Sequence, residues 1–170
     1  NGTPIHEHSR HIYNRRSLGH WDGDLVSGTK NSHIATLVDR KSRYTIILRL
    51  NGKDATSVNQ ALTDKFLSLP PELRQSLTWD RGMELARHLE FTGSTGVKVY
   101  FCDPQSPWQR GTNENTNGLI RQYFPKKTCL AQYTQHELDQ VAAQLNNRPR
   151  KTLKFKTPKE IIERVVALTD

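Results

Sequence analysis

Two hydrophobic repeats alternate along this chain, one of period two and one of period 3.6. From His20 the residues alternate: Trp21, Gly23 and Leu25 fall on one face of a predicted strand, and Asp22, Asp24 and Val26 on the other. His33–Asp39 and Tyr44–Leu50 are β-branched and apolar runs with turn residues between them, which predicts a hairpin in the same sheet. Asp54–Leu69 changes to helical spacing, with Val58, Ala61, Leu62, Phe66 and Leu69 on one side and a stop at Pro70-Pro71. Beyond it come a short strand at Leu77–Trp79, a helix from about Gly82 to Glu90 and a strand at Val97–Phe101. A Pro/Gly-punctuated loop, Asp103–Gly111, leads into a helix from about Asn113 to Phe124. Thr134 with Glu137, and Thr157 with Glu160 behind Pro158, form two capping boxes that open the last helices. The predicted order βββαβαβααα describes a mixed α/β domain over 18–170, while 1–17 lacks periodicity and reads as a basic linker or arm. That order alone fixes no function.

Charge adds a partner class. Lys and Arg number 25 against 17 Asp and Glu, a net charge of +8, which points to a polyanion such as nucleic acid. Charge alone gives equal weight to a basic domain with no such partner. No run approaches the roughly 20 apolar residues of a membrane span, so no membrane association is expected. The first sixteen residues, polar and basic, do not resemble a signal peptide. The chain begins at Asn1 rather than Met and reads as part of something longer. Two cysteines, Cys102 and Cys129, argue against a disulfide framework and for a reducing compartment.

Three acids stand out by position. Asp24 lies in the first strand, Asp80 directly follows a later one, and Glu114 opens the helix after the long loop. Side chains at strand ends and helix starts of an α/β sheet can converge in one crevice. Carboxylates brought together need cations between them, and hard oxygen donors select Mg²⁺ or Mn²⁺. Taken one at a time, each acid is more simply a turn, surface or helix-start residue.

The flanking residues change that balance. Trp21-Asp22-Gly23-Asp24-Leu25, the block from Trp79 to Ala86 (WDRGMELA) and the block from Ser106 to Asn115 (SPWQRGTNEN) resemble the three catalytic blocks of DDE transposases. The IS30-like insertion-sequence family is the nearer resemblance and retroviral integrase cores the more distant. The continuation Thr116–Tyr123 (TNGLIRQY), the run Asn147–Lys151 (NRPRK) and Thr157-Pro158 fit as well, so that the resemblance covers roughly 18–165. It implies an RNase H-like fold with a mixed five-stranded sheet flanked by helices. It also implies that Asp24, Asp80 and Glu114 are catalytic and hold two Mg²⁺ (or Mn²⁺) ions. The implied activity is hydrolysis of phosphodiesters at transposon ends, then strand transfer into target DNA, by a homo-dimer or larger assembly in a prokaryotic cytoplasm. An RNase H-like nuclease without strand transfer, or a non-catalytic DNA-binding module, are the competing readings. Three positions depart from the family pattern: Asp22 stands where Glu is more usual, Arg81 where integrases carry Asn, and Lys154 where Gly is common. Asp22 shares a strand face with Asp24 and is a candidate supporting acid.

DNA contacts are expected from Gln109, Arg110 and Asn113 on the loop, and from Asn117 and Arg121, three and seven residues beyond Glu114 on one helix face. Lys126 and Lys127, and the Arg148–Lys156 segment with Arg148, Arg150 and Lys151, read as phosphate tracks; a solvated basic face is the plainer alternative. Trp108 fits a base-stacking role and an anchoring one equally. His6, His8 and His11 lack a fourth ligand and do not make a zinc site. No helix-turn-helix fits beside the core, so end recognition is expected on a region preceding this chain.

Overall fold

The computed structural model describes residues 3–4, 17–79, 85–102 and 118–169. Six strands form one sheet: β1 (Thr3–Pro4), β2 (His20–Ser27), β3 (His33–Asp39), β4 (Thr45–Leu50), β5 (Ser76–Trp79) and β6 (Lys98–Phe101), in the spatial order β1-β6-β5-β2-β3-β4. β2, β3 and β4 form an antiparallel meander, whereas β5 joins β2 in parallel and β6 and β1 continue in parallel beyond it. Five of the strands are those expected. The sixth comes from the N-terminal arm, where Thr3 and Pro4 align with Tyr100 and Phe101.

The helices are α1 (Ala55–Ser68), α2 (His88–Thr95), α3 (118–123), α4 (Gln135–Asn146) and α5 (Pro158–Thr169). Asp54 caps α1 by accepting the Ser57 amide at 3.0 Å and its hydroxyl at 2.8 Å, and these bonds hold its carboxyl below the ordinary carboxylate range. Thr134 and Glu137 exchange the two bonds of a capping box at α4, as Thr157 and Glu160 do before α5. Of the helix expected over 82–90, residues 82–84 lie outside the described residues, and the described helix is His88–Thr95. The run Thr92-Gly93-Ser94-Thr95 has poor helix propensity, but burial of Phe91 and a bond from Thr95 Oγ1 to the Phe91 carbonyl (2.7 Å) carry the helix on until Gly96 ends it at φ 77°.

Strand alternation sorts the apolar side chains into two cores. On one face Trp21, Leu37, Leu48, Leu77, Trp79 and Val99 meet Val58, Leu62 and Phe66 of α1 and Phe91 of α2. Phe66 packs edge-on against Trp21 and Phe91, with ring centroids 6.3 and 5.4 Å away. On the other face Val26, Ile34 and Ile47 meet Ile120, Phe124, Leu130, Leu138 and Leu145 from α3, α4 and the turn between them. β3 lies between the two and is buried at every residue. Gly23 is required on the first face, because a Cβ there would collide with the indole ring of Trp79. Among the described residues no helix is long and apolar enough to cross a membrane.

Candidate active site

β2 is the strand at which the sheet changes character, with antiparallel β3 on one side and parallel β5 on the other. Open α/β sheets bind ligands beyond strand ends at such changes of direction. Asp22 and Asp24 both point to the α3/α4 face, and the structure treats them differently. Asp22 is 1% exposed and accepts a 2.8 Å bond from Nε of Arg40, itself 4% exposed. Its charge is therefore met inside the protein. Asp24, one pleat further on, is half-buried, and its Oδ1 accepts the Leu25 amide at 2.8 Å. Of the two, Asp24 is the more exposed, and Asp22 lies in an ion pair that sequence reading missed. The signal was Arg40 at the end of a strand antiparallel to β2, although no pattern rule couples positions eighteen residues apart.

β5 brings the second segment alongside. Asp22 aligns with Thr78 in the parallel register, and Trp79, the last residue of β5, is fully buried behind Gly23. Asp80 and Glu114 lie outside the described residues, as do Gln109, Arg110, Asn113, Asn117, Trp108, Arg81 and the His6, His8 and His11 cluster. Among the described residues no three His, Cys, Asp or Glu side chains come together as a metal site.

The described basic candidates fall into two groups, one near the end of β2 and one following α4. Arg121 of α3 is half-buried and donates to the Phe124 and Ser27 carbonyls, each at 3.4 Å, which ties its helix to the end of β2. Lys126 and Lys127 are exposed and adjoin Thr128, whose carbonyl accepts the Thr29 amide just past that same strand end. Arg148, Arg150 and Lys151 follow α4 at the other end, where Asn146 bonds to Thr45 at the start of β4. Arg150 is half-buried, and burial together with the nearby Arg148 charge lowers its proton affinity. Cys102 is buried and Cys129 half-buried, both as free thiols.

One further buried acid belongs to the framework. Asp39 accepts from the Gly19 amide (2.8 Å), the Ser42 amide and hydroxyl (each 2.8 Å) and the Lys41 amide (3.2 Å), joining the β3–β4 turn to the start of β2. Burial raises its pKa, against the pull of those bonds.

The fold defines the class: a crystal structure of the catalytic core domain of BIV integrase superposes with a TM-score of 0.67 at 16% identity, covering 91% of this chain and all of that one. The architecture is that of an RNase H-like integrase core. Residues 14–107, more than half the chain, match the integrase core domain family, and the chain belongs to it. It is 93% identical over 170 residues to the transposase InsI for insertion sequence element IS30C of Escherichia coli (strain K12), covering all of this chain and 44% of that protein. It is 49% identical over 164 residues to the transposase for insertion sequence element IS1086 of Cupriavidus metallidurans, covering 96% of this chain and 48% of that one. The chain thus spans less than half the length of the curated relatives it matches.

Proposed function

We propose that this chain is the catalytic core of a DNA transposase, cutting DNA at an element's ends and joining the freed 3′-OH to target DNA. The observation that carries it is the seat of Asp24. It is a half-buried carboxylate on the central strand, beside a second acid that Arg40 has already neutralised. Asp24 lies two residues beyond Asp22 on β2, and in the sequence Asp80 directly follows Trp79, the last residue of β5. Asp24, Asp80 and Glu114 form an all-carboxylate donor set, which suits two Mg²⁺ or Mn²⁺ ions. Bound there, such ions supply charge neutralisation and activation of the attacking oxygen.

The chain's own residues supply position. Asp24 is fixed by β2 and by its bond to the Leu25 amide, while Arg40 pairs with the negative charge of Asp22 beside it. Gln109, Arg110, Asn113, Asn117 and Arg121 grip DNA near the scissile phosphate, and Lys126, Lys127, Arg148, Arg150 and Lys151 hold phosphates further out. In the first step water forms a bond to phosphorus and the 3′-oxygen leaves with a proton. In the second, that 3′-oxygen forms a bond to a target phosphorus and a target 3′-oxygen leaves. Phosphodiester bonds are conserved in the second step, so no external energy source is required. Two ends must be joined, so the working form is a homo-dimer or larger assembly on DNA, in the cytoplasm at the nucleoid.

A strand-joining assay with a pre-cut element end, in Mg²⁺ or Mn²⁺, tests this reading. Products longer than the substrate are expected, and Asp24→Asn should reduce them by about 10²-fold or more. Shorter products alone would leave a nuclease. Unchanged joining by Asp24→Asn would remove Asp24 from the site.

A further inference from the structure

Between α4 and α5 the chain forms a small closed loop. The Arg150 amide donates to the Lys156 carbonyl (2.9 Å), and the amides of Leu153 and Phe155 donate back to the Arg150 carbonyl (2.9 and 2.8 Å). The Lys154 amide meets the Lys151 carbonyl at 3.1 Å, and the Thr157–Glu160 capping box fixes the exit. At its tip Lys154 and Phe155 both adopt left-handed backbone, with φ 55° and 65°. A bulky side chain rarely takes that conformation, because its Cβ crowds the adjacent carbonyl. The strain is not offset by burial. Phe155 is 70% exposed, the most exposed of the three large apolar side chains at the described surface. The other two, Leu67 and Leu89, ride on helices with ordinary backbone.

A strained backbone that drives an aromatic ring into water, repeatedly bonded across its base, is built to present that ring. Its surroundings define what could receive it. Residues 148–156 carry Arg148, Arg150, Lys151, Lys154 and Lys156 and no acid. Lys151 and Lys154 are exposed on the same loop as the ring. An aromatic ring between cations matches one chemistry above others: an unstacked base flanked by phosphates.

We propose that Phe155 is a base-stacking residue, taking an unpaired or unstacked base onto its ring while Lys151, Lys154 and Lys156 hold the neighbouring phosphates. The proposal rests on the reading of this chain as a DNA-processing core. It adds a preference for DNA that is locally open.

Anisotropy titrations of the 170-residue chain would compare a fully paired duplex with the same duplex carrying one unpaired base, over a range of salt. The chain should favour the opened duplex by on the order of tenfold, and Phe155→Ala should lose that preference while Phe155→Trp keeps it. The salt slope should be unchanged in Phe155→Ala. In Lys154→Ala it should fall by about 0.9, with the preference for the opened duplex retained. Matched melting temperatures would show that the exposed substitutions leave the fold intact. Equal affinity of the unaltered chain for both duplexes overturns the proposal and leaves the transposase reading standing. A preference surviving in Phe155→Ala also overturns it, and would leave the ring to a protein partner. No affinity for either DNA at low salt would overturn both.

Discussion

The ion pair between Arg40 and Asp22 is almost wholly removed from water, with side chains 5% and 2% exposed. Removing one partner from such a pair strands a charge and costs about 3–5 kcal/mol, whereas removing both can be nearly neutral. Arg40→Met should therefore lower the urea midpoint steeply, and adding Asp22→Asn should restore most of the loss. Additive losses in the double variant would show that the two side chains do not act as a pair. Asp39 allows a second test at this scale, because burial raises its folded pKa above the unfolded value of 3.8. The folded chain then holds the proton more tightly than the unfolded one. The stability linked to this group is full below pH 3.8 and is lost as pH rises through the raised folded value. Unfolding free energy of the native chain relative to Asp39→Asn should fall as pH rises through that window; a flat difference would contradict the burial argument.

At the scale of elements, α4 guards the sheet edge. β4 is the outermost strand on its side, and its outward peptide groups meet carboxamides. Asn146 accepts from the Thr45 amide (2.7 Å) and donates to its carbonyl (2.9 Å). Gln135 accepts from the Arg49 amide (2.8 Å) and donates to the Ile47 carbonyl (2.7 Å). Two side chains three turns apart thus stand in for a neighbouring strand, which removes a template for edge-to-edge association. Asn146→Ala leaves buried Thr45 groups unmet and should cost about 1–3 kcal/mol. Light scattering should show the doubly substituted chain, Gln135→Ala with Asn146→Ala, associating more readily; equal solubility would mean that α4 covers the edge by bulk alone.

These elements also show what the sequence could reveal. The alternation of Trp21, Gly23 and Leu25 against Asp22, Asp24 and Val26 was legible because each face meets its own apolar core, and the capping boxes because their partners lie three residues apart. α2 runs past its expected end because packing of Phe91 outweighed local propensity. Arg40–Asp22, the carboxamide clamp on β4 and the exposed ring of Phe155 depend on contacts up to 101 residues apart or on backbone φ, and periodicity encodes neither. The resemblance around Asp24, Asp80 and Glu114 named the family correctly, and of the three acids it singled out, Asp24 lies among the described residues.

For the whole molecule, the basic segment at 126–127 adjoins the end of β2 through the Thr29–Thr128 bond, and the segment at 148–156 follows α4, whose Asn146 bonds to the start of β4. A net charge of +8 distributed in this way should make DNA affinity fall with salt by about 0.9 log units of slope per phosphate contacted. Salt-insensitive affinity would mean that these lysines and arginines face only water.

If Asp24, Asp80 and Glu114 share one cation site, calorimetric titration of Mn²⁺ and Mg²⁺ into the chain, its Asp24→Asn form and its Asp80→Asn form, with and without duplex DNA, will reveal it. That measurement does not depend on recognition of an element's ends. Saturable binding is expected, strengthened by DNA phosphate oxygens and lost in both variants while circular dichroism stays unchanged. Binding of equal strength in all three proteins, or none even with DNA present, would contradict a shared site.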